Sequence, residues 1–166
     1  MKLRIADIVD DSIVDGPGFR MTVFAQGCPH HCPGCHNPAT HDFDGGKEVD
    51  VQRILDLAAQ NPLLSGITLS GGEPFCQPEA MTALAKGAKA IGLHVMAYSG
   101  WTFEELLQIP DARPLLESID VLVDGRFLLA QRTLSLAFRG SRNQRIVDVP
   151  ASLQQGHAVV LDWDSH

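Results

Sequence analysis

No apolar run in this sequence approaches the ~18–20 residues needed to cross a bilayer. Nor is there an excess of positive charge: 13 Lys and Arg stand against 20 Asp and Glu, a formal net charge of −7. Broad electrostatic binding to DNA or RNA is therefore not expected. What basic character exists gathers late, at Arg126, Arg132, Arg139, Arg142 and Arg145. No internal repeat and no low-complexity linker interrupts the chain. Its first stretch, MKLRIADIVDDSIVDGPGFR, lacks the apolar core of a signal peptide and carries acids where that core would lie. At 166 residues, 45% apolar and 20% charged, the chain suits one domain (1–166) with a real core. These absences predict a cytoplasmic protein with no membrane and no nucleic acid among its partners.

Cysteine is also scarce, and its placement is informative. There are four, Cys28, Cys32, Cys35 and Cys76. An extracellular disulfide scaffold would scatter them along a shorter chain. In a reducing compartment a tight cluster reads as a metal or redox site. Three of them fall within GCPHHCPGCHNP (27–38), together with His30, His31 and His36.

The rest of the chain alternates β-like runs with amphipathic stretches. MTVFAQG (21–27) reads as the first strand, running into a cysteine loop that extends to about Gly46. Val51, Ile54, Leu55 and Ala58 at helical spacing predict a helix over 48–60. GITLSGG (66–72) predicts a strand ending in two glycines. A second helix starts near Pro78 and is capped at Gly92. LHVMAYSG (93–100) predicts a strand, and Thr102 and Glu105 are spaced as a capping box. SIDVLVDG (118–125) predicts another strand, and RIVDV (145–149) a weaker one. Such alternation predicts an α/β fold with a parallel sheet. Right-handed crossovers then place the strands' C-terminal ends on one rim, where such folds bind ligands. The unusual segments all follow strands: the cysteines, GGEP, YSG and DGR.

Thiolates at C-x3-C-x2-C spacing suit zinc or an iron–sulfur cluster. Three cysteines leave one position of a tetrahedral zinc, or one iron of a four-iron cluster, without a cysteine. His30, His31, His36 or His41 could close a zinc shell, and Cys76 could complete an all-cysteine site. An open iron would instead bind a small chelating ligand and pass an electron into it. On spacing alone, a structural zinc module, an iron–sulfur electron carrier and a radical enzyme all remain open.

CPHHCPGC (28–35) resembles the signature of the radical S-adenosylmethionine superfamily, and LSGGEP (69–74) resembles its second motif. DGPGFR (15–20) with CHNPATHDF (35–43) is similar to the glycyl-radical-enzyme activases. DVLVDGRF (120–127) and FRGSRNQRIVDV (138–149) are similar to the activases of anaerobic ribonucleotide reductase. The resemblance covers about residues 14–149 and implies a compact, incomplete (β/α) barrel with a mostly parallel sheet. It implies a [4Fe–4S] cluster held by Cys28, Cys32 and Cys35, with S-adenosylmethionine chelating the fourth iron. It further implies reductive cleavage to a 5′-deoxyadenosyl radical that takes a hydrogen atom from a backbone glycine of the reductase. No side-chain acid or base is required. A flavodoxin or ferredoxin is the implied electron donor. Pyruvate formate-lyase is the alternative glycyl-radical partner, although its activases are usually longer.

On the same resemblance, Gly34, Cys35, His36, Gly71, Gly72, Glu73 and Ser99 contact the cofactor. Glu73 would meet its ammonium, or stabilise the start of the next helix. Ser99 and Gly100 would reach the ribose. Gly34 stands where the superfamily often has an aromatic residue against the adenine, and His36 offers a planar ring close by. Cys76 is expected near the cluster rim as a thiol that is not a ligand, and His30 and His31 in solvent. Asp124, Arg126, Arg139, Arg142, Asn143 and Gln144 would serve the cofactor site or partner docking, or form surface ion pairs. Asp15–Arg20 reads as a turn ahead of the first strand.

Overall fold

A computed structural model describes residues 1–12, 16–30, 32, 40–133, 138–139 and 141–162. Gly34, Cys35 and His36, with Asp15, His31 and Gly140, lie outside the described residues. Seven strands, β1 (Lys2–Ser12), β2 (Arg20–Ala25), β3 (Lys47–Asp50), β4 (Gly66–Gly71), β5 (His94–Tyr98), β6 (Val121–Asp124) and β7 (Arg145–Asp148), form one sheet. Their order is β3-β1-β2-β4-β5-β6-β7. The helices are α1 (Val51–Ala59), α2 (Pro78–Ala90), α3 (Phe103–Leu107), α4 (Arg113–Leu116) and α5 (Val149–Gln155).

The sheet is mixed, with a parallel centre and antiparallel flanks. β2, β4, β5 and β6 run parallel, as the βα alternation predicts. β1 pairs antiparallel with both β2 and β3, and β7 pairs antiparallel with β6. The flanking strands need no helical crossover, so they leave no βα signature in the sequence. Residues Glu48–Asp50, expected within a helix, instead pair with Lys2–Arg4 in β3. The helix begins at Val51, where the Asp50 side chain accepts from the Gln52 N–H. The other local signals appear where they were read. Pro78 opens α2, Gly92 follows it with φ 85°, and Thr102 and Glu105 form a reciprocal capping box on α3.

Strand alternation divides the core in two. One face carries Leu3, Ile5, Met21, Val23, Ile67, Leu69, Val95, Ala97 and Leu122 against Ile54 of α1, Met81 and Leu84 of α2 and Phe103 of α3. Each fully buried Leu, Ile or Met in this layer contributes about 1.5–3 kcal/mol relative to exposure. The opposite face carries Met96, Val121, Val123 and Ile146, with Tyr98 and Phe138 against them. Thr22, Thr68, Met96 and Val121 are successive register partners and form one row across this second face.

At the N-terminal edge of that face lies Arg20, only 1% exposed. Its register partner is Gly66, where a Cβ would fall 2.6 Å from the guanidinium carbon. The guanidinium donates to Thr68 Oγ1 (2.7 Å), to the Ile67 carbonyl (2.9 Å) and to the Pro17 carbonyl (3.0 Å). Burial pushes its pKa down to about 10, which leaves it charged at neutral pH. The DGPGFR segment thus does more than turn the chain. Its arginine staples the Pro17 turn to two parallel strands, at the end of the sheet opposite the candidate site.

Candidate functional site

The C-terminal ends of β2, β4, β5 and β6 deliver Gly27–Cys28, Gly72–Glu73, Ser99–Gly100 and Gly125–Arg126 to one rim. The base of the cysteine loop is closed by main-chain bonds, with the Gln26 side chain donating to the Asp42 carbonyl (2.6 Å) beside them. Gly27 N–H donates to the Thr40 carbonyl (2.6 Å), and Cys28 N–H donates to the His41 carbonyl (3.2 Å). The glycine motif closes onto this base. Gly72 N–H donates to the Ala25 carbonyl and Glu73 N–H to the Gly27 carbonyl, both at 2.8 Å. A Cβ on Gly72 would overlap the Gly27 carbonyl oxygen and fall 2.9 Å from that of Thr40. Gly71 has φ 90°, and a Cβ there would lie 2.7 Å from the Ala25 carbonyl oxygen. Both glycines serve close approach of backbone to backbone.

Glu73 is wholly buried and is the hub of the rim. Its Oε1 accepts from His30 Nε2 (2.6 Å), Gly100 N–H (2.8 Å) and the Ser99 hydroxyl (3.0 Å). Its Oε2 accepts from the Phe75 N–H (3.2 Å), capping the short 3₁₀ turn Pro74–Cys76. The turn-stabilising role expected of this carboxylate is therefore present beside its place in the site. Ser99 Oγ also accepts from the Trp101 N–H (3.0 Å).

His30, expected in solvent, is instead packed in, its side chain 4% exposed. Its ring meets Trp101 edge-on, with centroids 4.7 Å apart. It occupies space that exists because residue 100 is glycine: a Cβ there would overlap the ring, 2.6 Å from Nε2. Arg126 Nε donates to His30 Nδ1 (3.3 Å). A guanidinium only donates and a carboxylate only accepts, so the ring carries its hydrogen on Nε2. The link Arg126–His30–Glu73 joins the β6 end to the β4 end across the cysteine loop. The signal for it was Gly100 itself, a glycine directly after a strand-end serine.

Cys28 is buried, Cys32 is partly exposed, and no disulfide links either of them or Cys76. Among the described residues, no three His, Cys, Asp or Glu side chains converge as a metal site. The third thiol of the motif, Cys35, lies outside the described residues. Cys76 is half-buried beside this group. Burial, Glu73 and Cys28 together push its thiol pKa up to about 12, so it stays protonated.

A family described as a 4Fe-4S single cluster domain matches residues 14–147. The anaerobic ribonucleoside-triphosphate reductase-activating protein of Vibrio cholerae is 36% identical over 143 residues, covering 81% of this chain and 90% of the relative. Its namesake in Escherichia coli K12 is 37% identical over 145 residues, covering 80% and 90%. The chain belongs to the family of anaerobic ribonucleoside-triphosphate reductase-activating proteins. A pyruvate formate-lyase-activating enzyme of Clostridium pasteurianum is also similar, 38% identical over 117 residues, but the match covers 49% of that protein.

In this chain the segments after β6 serve mainly to brace the rim. Asp124 is buried and accepts from Arg145 (Nη2 2.5 Å, Nε 3.1 Å) and from the Phe103 N–H (2.7 Å). Asp124 and Arg145 are direct cross-strand partners, and Arg145 also reaches Glu104 at 2.6 Å. The carboxylate pairing raises the Arg145 pKa further above its ordinary value. Asn143 Nδ2 donates to the Arg126 carbonyl (2.8 Å) and Gln144 Nε2 to the Gly125 carbonyl (3.0 Å). Arg142 contributes its backbone N–H to the Gln131 carbonyl (2.9 Å). Of the late basic residues, Arg126 is the one whose side chain bonds to His30. No described helix is long and apolar enough to cross a membrane.

Proposed function

We propose that this protein activates the anaerobic ribonucleoside-triphosphate reductase by generating a glycyl radical on it. In this reading it works in the cytoplasm as a single domain over 1–166, a compact incomplete (β/α) barrel of radical S-adenosylmethionine type. Cys28, Cys32 and Cys35 hold a [4Fe–4S] cluster, and the Glu73 rim holds S-adenosylmethionine. The observation that carries the reading is the main-chain seam of Gly27, Thr40, Gly72 and Glu73. It ties the thiol loop and the glycine motif into one unit, so both halves of a cluster-and-cofactor site are positioned together.

The donor set fits. Two soft sulfur donors, Cys28 and Cys32, stand on one loop. Beside them a buried carboxylate suits an ammonium group, and its surroundings exclude water. When bound, the cluster and S-adenosylmethionine supply reductive cleavage of the sulfonium and the carbon radical that abstracts hydrogen. The chain's own residues bind, orient and shield. Cys28, Cys32 and Cys35 would hold the cluster. Glu73, held by Ser99 and Gly100, fixes the ammonium end. Gly71 and Gly72 keep the motif flush against the loop. Gly34 and His36 would lie at the adenine. Cys76 would not be a ligand, and the cluster's remaining position would be left to the cofactor. No side chain is required as an acid or base.

Pyruvate formate-lyase is the second candidate partner. The chain spans nine-tenths of the reductase activases it matches and about half of the pyruvate formate-lyase activase, which favours the reductase. Flavodoxin or ferredoxin would supply the electron. The test is anaerobic reconstitution with iron and sulfide, reduction, and addition of S-adenosylmethionine. Release of 5′-deoxyadenosine is expected. On mixing with the reductase, a glycyl radical signal should appear by electron paramagnetic resonance. A competently reduced protein that cleaves nothing, or one whose fold is restored by zinc alone, would overturn the proposal. A radical on pyruvate formate-lyase and none on the reductase would change the partner.

A further inference from the structure

We infer that His30 is an internal competitor for Glu73, and that a cofactor's ammonium group gains the carboxylate by replacing the His30 N–H donor. This rests on the proposed use of Glu73 as the ammonium site. Glu73 is wholly buried, and its Oε1 already accepts three hydrogen bonds. A further donor can reach that oxygen only by replacing one of them. Gly100 offers a main-chain N–H, and Phe75 on Oε2 does the same, so neither can leave without moving an element. Ser99 is buried at the end of β5 and holds the Trp101 N–H with the same hydroxyl. His30 alone among the four donors belongs to the cysteine loop, and side-chain rotation is enough to free it.

The ring also fills the space above Gly100 and against Trp101. Its departure therefore opens room beside the carboxylate at the moment the bond is released. The only other hydrogen bond described for the ring comes from Arg126, whose N–H turns to solvent when the ring leaves. Because His30 lies between Cys28 and Cys32, the same loop that carries the thiols also carries the group that occupies Glu73. Apparent affinity then equals intrinsic affinity multiplied by the fraction of molecules in which Glu73 is released.

The test is equilibrium binding to the reconstituted, unreduced holoprotein, so that nothing is cleaved. Two probes are used: S-adenosylhomocysteine, which carries the ammonium group, and 5′-methylthioadenosine, which lacks it. His30→Ala should bind S-adenosylhomocysteine about tenfold more tightly than wild type, the effect of deleting one competing charge-assisted hydrogen bond. Its affinity for 5′-methylthioadenosine should not change. His30→Gln, which keeps an N–H donor, should return affinity towards wild type. His30→Leu keeps bulk beside Trp101 and serves if the alanine variant does not fold. Weaker or unchanged S-adenosylhomocysteine binding in the folded donor-less variant overturns the competition. So does an equal gain for both probes. Failure of the underlying cofactor reading looks different: wild type with its cluster in place then binds neither S-adenosylhomocysteine nor S-adenosylmethionine.

Discussion

Substituting Gly72 by alanine should damage fold and cluster together. The backbone at Gly72 is not in the left-handed region, so the penalty is steric rather than conformational. The added methyl would overlap the Gly27 carbonyl oxygen and sit 2.9 Å from both the Gly27 carbonyl carbon and the Thr40 carbonyl oxygen. All of these are main-chain atoms that close the cysteine loop, and no flexible side chain can yield instead. Overpacking of this kind costs about 1–3 kcal/mol. In a chain of this size each kcal/mol shifts the melting temperature by about 2–4 °C. The expected drop is therefore about 2–12 °C by calorimetry at a fixed scan rate. Gly92→Ala is the control. Gly92 has φ 85° with nothing near its Cβ position, so alanine there costs only the handedness penalty, about 1–2 kcal/mol. Both variants should melt lower, but only Gly72→Ala should also lose iron after anaerobic reconstitution. A Gly72→Ala protein with wild-type iron content and melting temperature would refute the seam as the link between motif and loop.

Three further outcomes follow from the same structure. Burial and the neighbouring Arg20 cation hold the His94 pKa below its ordinary value, against an opposing pull from Asp120. As pH falls through about 6.5 the unfolded chain takes the proton first, so stability is lost from there down to the lowered native pKa. His94→Gln should flatten the urea midpoint against pH in that window, and an unchanged slope would count against the assignment. Asp124→Asn weakens a pair in which Asp124 is buried but the Arg145 side chain is 32% exposed. It should lower stability by about 1–3 kcal/mol in denaturant unfolding without lowering iron content; loss of iron would return Asp124 to the cofactor site. Cys76→Ala should retain the cluster spectrum while Cys32→Ala abolishes it, and loss in both would mean a four-cysteine site.

What could be read in the sequence was what short-range chemistry decides. The capping box at Thr102 and Glu105, the first-turn Pro78 and the terminal Gly92 each act within a turn of their own helix. The βα alternation from β4 to β6 was legible for the same reason. β1 and β3 were not, because the acids of ADIVDDS obscure a strand whose burial comes from pairing with β2, and KEVD is a strand only beside Lys2–Ile5. Asp124 was read towards the site because its partner, Arg145, is 21 positions away. The antiparallel return of β7 makes them neighbours. His30 shows the limit most clearly. Between two prolines its surroundings look like an exposed loop, and its burial is decided by Glu73, Gly100 and Trp101, all of which arrive from other strands.

The base of the cysteine loop has one more consequence. Its ends are joined by the peptide groups of Gly27, Cys28, Thr40 and His41, with no side chain taking part in those bonds. The two ends are thus gripped backbone to backbone, as in a socket. The socket's compositional demands therefore fall on its glycines: nothing larger than hydrogen can project from Gly72, and Gly27 has φ 103° with the Phe43 ring against its Cβ position.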